Sequence, residues 1–190
     1  MPTQFKQLGF SGQNLYIGLD THRKQITVTI LGEYVSHKTF SQSPDPGILV
    51  RYLKKNYPGA RYYAAYEAGF SGFWLQESLQ EQGVNCIVAN PADIPTKDKE
   101  RKQKRDPMDS RKIARSLRNG ELEGIHIPSK QVQHDRSLVR ARYKVVGNLT
   151  RCKNRIKGLL YYFGVEYPEE FRQSGTHWSK KFMHWLSNLD

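Results

Sequence analysis

Cysteine is nearly absent from this chain of 190 residues, which holds two: Cys86 in an apolar run and Cys152 in a basic stretch. Two thiols so placed make neither a disulfide framework nor a four-ligand metal site, and both read as packed or half-packed side chains. Long apolar runs are missing as well. No stretch reaches the roughly 20 apolar residues that a membrane helix needs, and the leading MPTQFKQLGF lacks the apolar centre of a signal peptide. Together these absences argue against a secreted disulfide scaffold and against a membrane protein, and predict a cytoplasmic one. Acids are the third scarcity. Eighteen Asp and Glu face thirty Lys and Arg, a formal charge of +12, which points to a polyanionic partner and to nucleic acid first.

What is present falls into two regimes. Up to about residue 91, strand-like runs alternate with helical ones. YIGLD, QITVTIL and YVSHKTF come first, then a helix over about 46–55, RYYAAYE, a helix over about 71–81, and NCIVAN. The first three runs are too close together for crossover helices and predict an antiparallel meander, while the two that follow helices predict parallel strands. Gly32 and Glu33 suit a hairpin turn, SPDPG opens the first helix and Gly83 closes the second. The expected fold is α/β, a mixed five-strand sheet with flanking helices.

Beyond Asn90-Pro91 the segment PADIPTKDKERKQKRD is crowded with charge and predicts a mobile basic loop over 92–105. A helix follows over about 107–119, and a longer one over about 129–163. In the latter Leu138, Val145, Leu149, Cys152, Ile156, Leu159 and Phe163 fall in alternating steps of three and four, with Arg142 in one polar slot: a coiled-coil seam. Its other faces carry Arg136, Arg140, Lys144, Arg151, Lys153, Arg155 and Lys157, with Asp135 the only acid. So little compensation favours phosphate contact over a merely solvated face. Arg105, Arg111, Lys112 and Arg115 extend the basic surface at the preceding helix. Tyr161, Tyr162 and Phe163 could stack on bases, but aromatics at helical spacing read first as core. The domains predicted are 1–127, a basic coiled-coil helix over 128–165, and over 166–190 the start of a further helical segment deprived of its packing partner. His177 and His184 in that tail have no further ligands nearby and carry no metal role.

Four acids can be placed on this frame. Asp20 ends the first strand and Glu67 the fourth, and parallel neighbours present their carboxyl ends at one edge of a sheet, where open α/β folds bind ligands. Asp106 and Asp109, three apart at a helix start, lie on one face. Four carboxylates brought together repel unless a divalent cation compensates them, and hard oxygen donors favour Mg2+ or Mn2+. Such ions promote phosphodiester cleavage or transfer. Each acid alone has a plainer role: Asp20 a turn residue, Asp109 a partner of the helix dipole, Asp106 an ion-pair partner of Arg105 or Arg111. Only Glu67, followed by Ala-Gly, has few local partners.

At these residues the sequence resembles the DEDD-type insertion-sequence transposases, which include the Piv invertases and the bridge-RNA-guided recombinases. YIGLDTHRKQITVTI is similar to that family's first strand and its Gly-hydrophobe-Asp-x-His-Lys motif, with Asp20 the first acid. YEAGFSG resembles the motif that supplies Glu67, NPADI the Asn-Pro ending the last strand, KRDPMDSRKIAR the helix start that gives Asp106 and Asp109, and RCKNRIKGLLYYFG the basic end of the coiled coil. The likeness covers about residues 15–164. Arg105 stands where the family has Thr, and Ser110 where it has Ala, a departure that loosens the expected geometry around Asp106.

The resemblance implies an RNase H-like (RuvC-like) catalytic domain with Asp20, Glu67, Asp106 and Asp109 as catalytic and metal-binding residues. It implies transposon-end and target DNA and a structured guide RNA as partners, and a homo-oligomer joined through the coiled coil. Family members continue into a transposase domain whose serine is proposed to link to DNA, so the chain reads as a fragment or truncated product and no serine in it is nominated as nucleophile. Two other classes stand beside this one. A basic nucleic-acid-binding and dimerisation module whose acids do not catalyse fits the same charges. An actin-like ATP-binding protein also begins with a strand ending in Asp, but THRKQ lacks the Gly and Thr that approach phosphate.

Overall fold

The structure, a computed structural model, describes residues 9–94 and 106–189, with backbone only for 106–108. Most of the predicted loop over 92–105, including Arg105, lies outside the described residues. The chain divides into two units, residues 1–127 and 128–190.

In the first unit β1 (Asn14–Thr21), β2 (Ile26–Leu31), β3 (Ser36–Gln42), β4 (Arg61–Glu67) and β5 (Asn85–Ala89) form one sheet of order β3-β2-β1-β4-β5. β1, β2 and β3 pair antiparallel; β1 with β4 and β4 with β5 pair parallel. This is the mixed five-strand α/β sheet that the strand spacing predicts, in an RNase H-like order. Short connections impose the meander: His22 N–H donates to Gln25 O at 2.9 Å, and Gly32 N–H to Val35 O at 2.7 Å. Helix α1 (Pro46–Asn56) starts where Asp45 accepts from Gly47 N–H at 2.7 Å with proline at the first helical position. Helix α2 (Trp74–Glu81) begins three residues later than its apolar pattern suggests, because Gly72, at φ 58°, closes a turn that a helix cannot enter.

The sheet is covered on both faces. Leu15, Ile17 and Leu19 of β1 and Ile26, Val28 and Ile30 of β2 join Leu49 and Leu53 of α1 and Leu75 and Leu79 of α2 in the main core. The opposite face takes α3 (Asp106–Arg118), whose Ile113 packs with Ala65 and Ala89. Gly18 makes this contact close: a Cβ there would lie 2.0 Å from Ser110 O and 2.5 Å from Ala114 N. Opposite Gly18 on β2 is Thr29, and opposite Thr29 on β3 is Thr39. The Thr29 hydroxyl bonds those of Ser110, at 2.8 Å, and Thr39, at 2.9 Å. Ser110, fully buried, is therefore satisfied in a hydroxyl row that pins α3 to β2 and β3. The serine that sequence comparison reads as a loosening departure is held by the sheet beneath it.

In the second unit Ser129 caps α4 (Lys130–Tyr162) by accepting from Val132 N–H at 3.4 Å. Of its side chains only Leu160 is buried, and Leu138, Val145, Leu149 and Leu159 of the seam are exposed. Tyr161, Tyr162 and Phe163 are exposed too, which overturns their reading as core. The tail differs as well. Helix α5 (Lys180–Ser187) puts Phe182 out of solvent among Tyr167, Phe171, His177, Trp178 and Trp185, so this segment finds its packing partners within itself.

Candidate functional site

Side-chain alternation assigns the acids a face. Leu15, Ile17 and Leu19 point into the main core, so Gly18 and Asp20 point to the α3 side. On β4 Tyr62, Ala64 and Tyr66 enter that core while Ala65 packs on the α3 side, which sends Glu67 the same way. β1 and β4 pair in parallel register up to Leu19 opposite Tyr66. Asp20 and Glu67 are the next residues, neighbours on one face at the carboxyl edge of adjacent strands. Both line a cleft of about 320 Å³ with Leu19, Thr21, His22, Ala68, Gly69 and Phe70.

His22, just past the end of β1, sets its Nε2 3.1 Å from Asp20 Oδ2. The Asp20 side chain is 18% exposed and that of His22 47%, so the imidazole meets the less accessible carboxylate from the solvent side. The loop after Glu67 is anchored by Ala68 N–H donating to Ala89 O at 2.9 Å and by the Thr21 and Ser71 hydroxyls, 2.9 Å apart. These fix the cleft walls.

The three predicted acids whose side chains are described do not form one cluster. α3 begins at Asp106, whose side chain lies outside the described residues. Asp109 is half-exposed and sits 3.6 Å from Lys112 Nζ on its own helix. Among the described residues no three His, Cys, Asp or Glu side chains are grouped to hold a metal ion. The structure thus brings Asp20 and Glu67 together and leaves Asp109 with Lys112. Among the basic candidates Arg111, Arg115, Lys144, Arg151 and Arg155 are exposed, Lys153 and Lys157 half-buried, and Lys112 mostly buried. Lys153 lies over the Trp178 ring, 5.4 Å from its centre. Sequence reasoning passed over His22 and Phe70. The signal for His22 was its place at the histidine of the Asp-x-His-Lys motif that YIGLDTHRKQITVTI resembles; the exposure of Phe70 left no sequence signal.

Burial pushes the Cys86 thiol up to about 12, whereas Cys152 is exposed on α4. No helix among the described residues is long and apolar enough to cross a membrane.

The chain is similar to known proteins. The chain is 29% identical to y4rJ of Sinorhizobium fredii over 84% of its own length and 44% of the relative's, and 32% identical to y4qE of the same strain over 65% and 30%; both are named as transposases. It is 26% identical to the transposase for insertion sequence element IS1533 of Leptospira borgpetersenii over 93% of its length and 51% of the relative's. The chain therefore spans about half or less of these relatives. The IS110-type DEDD family, described as transposase, matches residues 17–163, from the first strand through the long helix. With the five-strand sheet, the acid-bearing strand ends and the basic helix all inside that match, the chain belongs to the IS110-type DEDD transposase family.

Proposed function

We propose that this chain is the N-terminal part of a metal-dependent DNA transposase or site-specific recombinase, with Asp20 and Glu67 at the centre of its catalytic site. The observation that carries the reading is their adjacency on one sheet face at the carboxyl edge. Neighbouring parallel strands are about 4.8 Å apart, so two carboxylates there repel unless a cation stands between them. The donors suit a hard ion: two carboxylates, no thiolate, and an imidazole engaged with Asp20. Asp20 and Glu67 would hold Mg2+ or Mn2+, and Asp106 and Asp109 complete the proposed set. Such an ion, when bound, activates a water or hydroxyl and offsets charge on a phosphodiester oxygen.

The remaining work falls to the chain itself. His22 orients the Asp20 carboxylate through the 3.1 Å contact. Arg111 and Arg115 on α3, with Lys144, Arg151, Lys153, Arg155 and Lys157 on α4, hold phosphates of transposon-end and target DNA and of a structured guide RNA. The seam of α4 pairs copies of the chain into a homo-oligomer.

The test is calorimetric and thermal titration of Mn2+ and Mg2+ into the wild type and an Asp20→Ala, Glu67→Ala double variant. Binding heat and a raised melting temperature are expected for the wild type alone. Equal responses overturn the metal site. A second reading, a basic nucleic-acid-binding and dimerisation module without catalysis, is favoured by the Asp109–Lys112 pair. It predicts that neither protein responds to metal while both bind DNA.

A further inference from the structure

An aromatic shelf adjoins the acid cleft. Phe70 and Trp74 are 71% and 49% exposed. With Arg23 and Pro44 they line a groove of about 190 Å³, which shares Thr21, His22 and Phe70 with the cleft of Asp20 and Glu67. Phe70 is not exposed through looseness. It occupies the second position of a turn closed by Gly72 N–H donating to Gly69 O at 3.1 Å. Gly72 O accepts from the Tyr66 hydroxyl at 2.7 Å, and the adjacent Ser71 is tied to Thr21. A turn anchored on both neighbouring strands thus holds a phenyl ring in water beside a half-exposed indole. A ligand with a flat π face would recover the apolar area this leaves uncovered.

Charge narrows the ligand class. Arg23, exposed, stands at the rim, whereas the shared cleft carries two carboxylates, which repel a bare phosphate. The groove therefore suits a base, with its backbone reaching toward the guanidinium. We propose that Phe70, Trp74 and Arg23 form a stacking subsite for an unpaired base of a DNA strand that continues into the Asp20–Glu67 cleft. This rests on the proposed function for its location, and needs no metal for its own binding.

The probes are a short thymidine oligonucleotide, the same strand with abasic sites, and its uridine ribonucleotide counterpart, all in the presence of EDTA. Anisotropy of the labelled strands reports affinity. In a Trp178→Phe, Trp185→Phe background, quenching of the one remaining tryptophan, Trp74, reports stacking. The base-bearing DNA strand is expected to quench Trp74 and to lose roughly tenfold in affinity on Phe70→Ala, with Phe70→Tyr restoring it and the abasic strand unaffected by either change. Trp74→Ala serves as a second variant in the anisotropy arm and should behave as Phe70→Ala does. Equal binding of base-bearing and abasic strands by the wild type, or equal losses on both, overturns the subsite. Preference for the ribonucleotide strand overturns its assignment to DNA. Base-dependent quenching in a protein without a metal response would sink the metal site and leave the shelf; the reverse pattern would sink the shelf alone.

Discussion

β2 and α4 use apolar side chains in opposite ways. Every residue of β2 from Ile26 to Leu31 is buried, whereas α4, 33 residues long, buries only Leu160 and exposes Leu138, Val145, Leu149 and Leu159. The first unit draws its stability from within, since both faces of its sheet are covered by its own helices. A long helix with an uncovered heptad seam has no such source, because most helical stability in proteins comes from packing an apolar face. Charge divides in parallel. The strand edge of the first unit gathers acids, while α4 carries Asp135 alone against its many cations. One unit is built as a platform covered on both faces, and the other leaves the seam of its long helix uncovered.

The sharpest way to break this contrast is at Gly18. Gly18→Ala drives a methyl group into the backbone of Ser110 and Ala114, which cannot move without lifting α3. The expected loss is about 3 kcal/mol or more in urea unfolding of the sheet unit, with the α4 signal unchanged; a loss below about 1 kcal/mol would mean that α3 does not rest on β1. Next comes the basic helix. Neutralising Arg151, Lys153, Arg155 and Lys157 should cost the second unit only about 0.5 to 1 kcal/mol, from the loss of Lys153 over Trp178, and reduce the slope of log affinity against log salt by roughly 0.7 to 0.9 for each phosphate contact removed. An unchanged slope would return those residues to ordinary solvated surface. The smallest effect separates the units without mutation. At pH 8 Cys86, its thiol raised to about 12, stays protonated and unreactive, while Cys152 titrates with a thiol reagent; one equivalent is expected native and two in denaturant.

Much of the first unit was legible because its signals are local. Alternation in β1 and β2, short gaps between the first three strands and Pro-Gly punctuation dictate the strands and the antiparallel meander, and Asp20 and Glu67 follow at or next to strand ends. The start of α2 was misread because Phe70 to Phe73 carries apolar residues through a turn, and only the backbone sign at Gly72 distinguishes the two. Ser110 was judged by comparison with alanine, and its partner Thr29 is 81 residues away, beyond the reach of any periodicity. The exposure of Tyr161 to Phe163 was hidden for a related reason: helical spacing says which residues share a face, not whether anything covers it. Asp109 gave the right spacing from Asp106, yet its contact with Lys112 is as local as that spacing and competes with any cleft role.

At about 1.5 Å per residue, the 33 residues of α4 extend for about 50 Å. Duplex DNA rises about 3.4 Å per base pair, so the rod is as long as roughly fifteen base pairs, about one and a half turns. Cations near its two ends, such as Arg136 and Lys157, are therefore too far apart to serve one phosphate cluster. In the function proposed, the helix would act as a ruler, the spacing of the sites it bridges being set by its length.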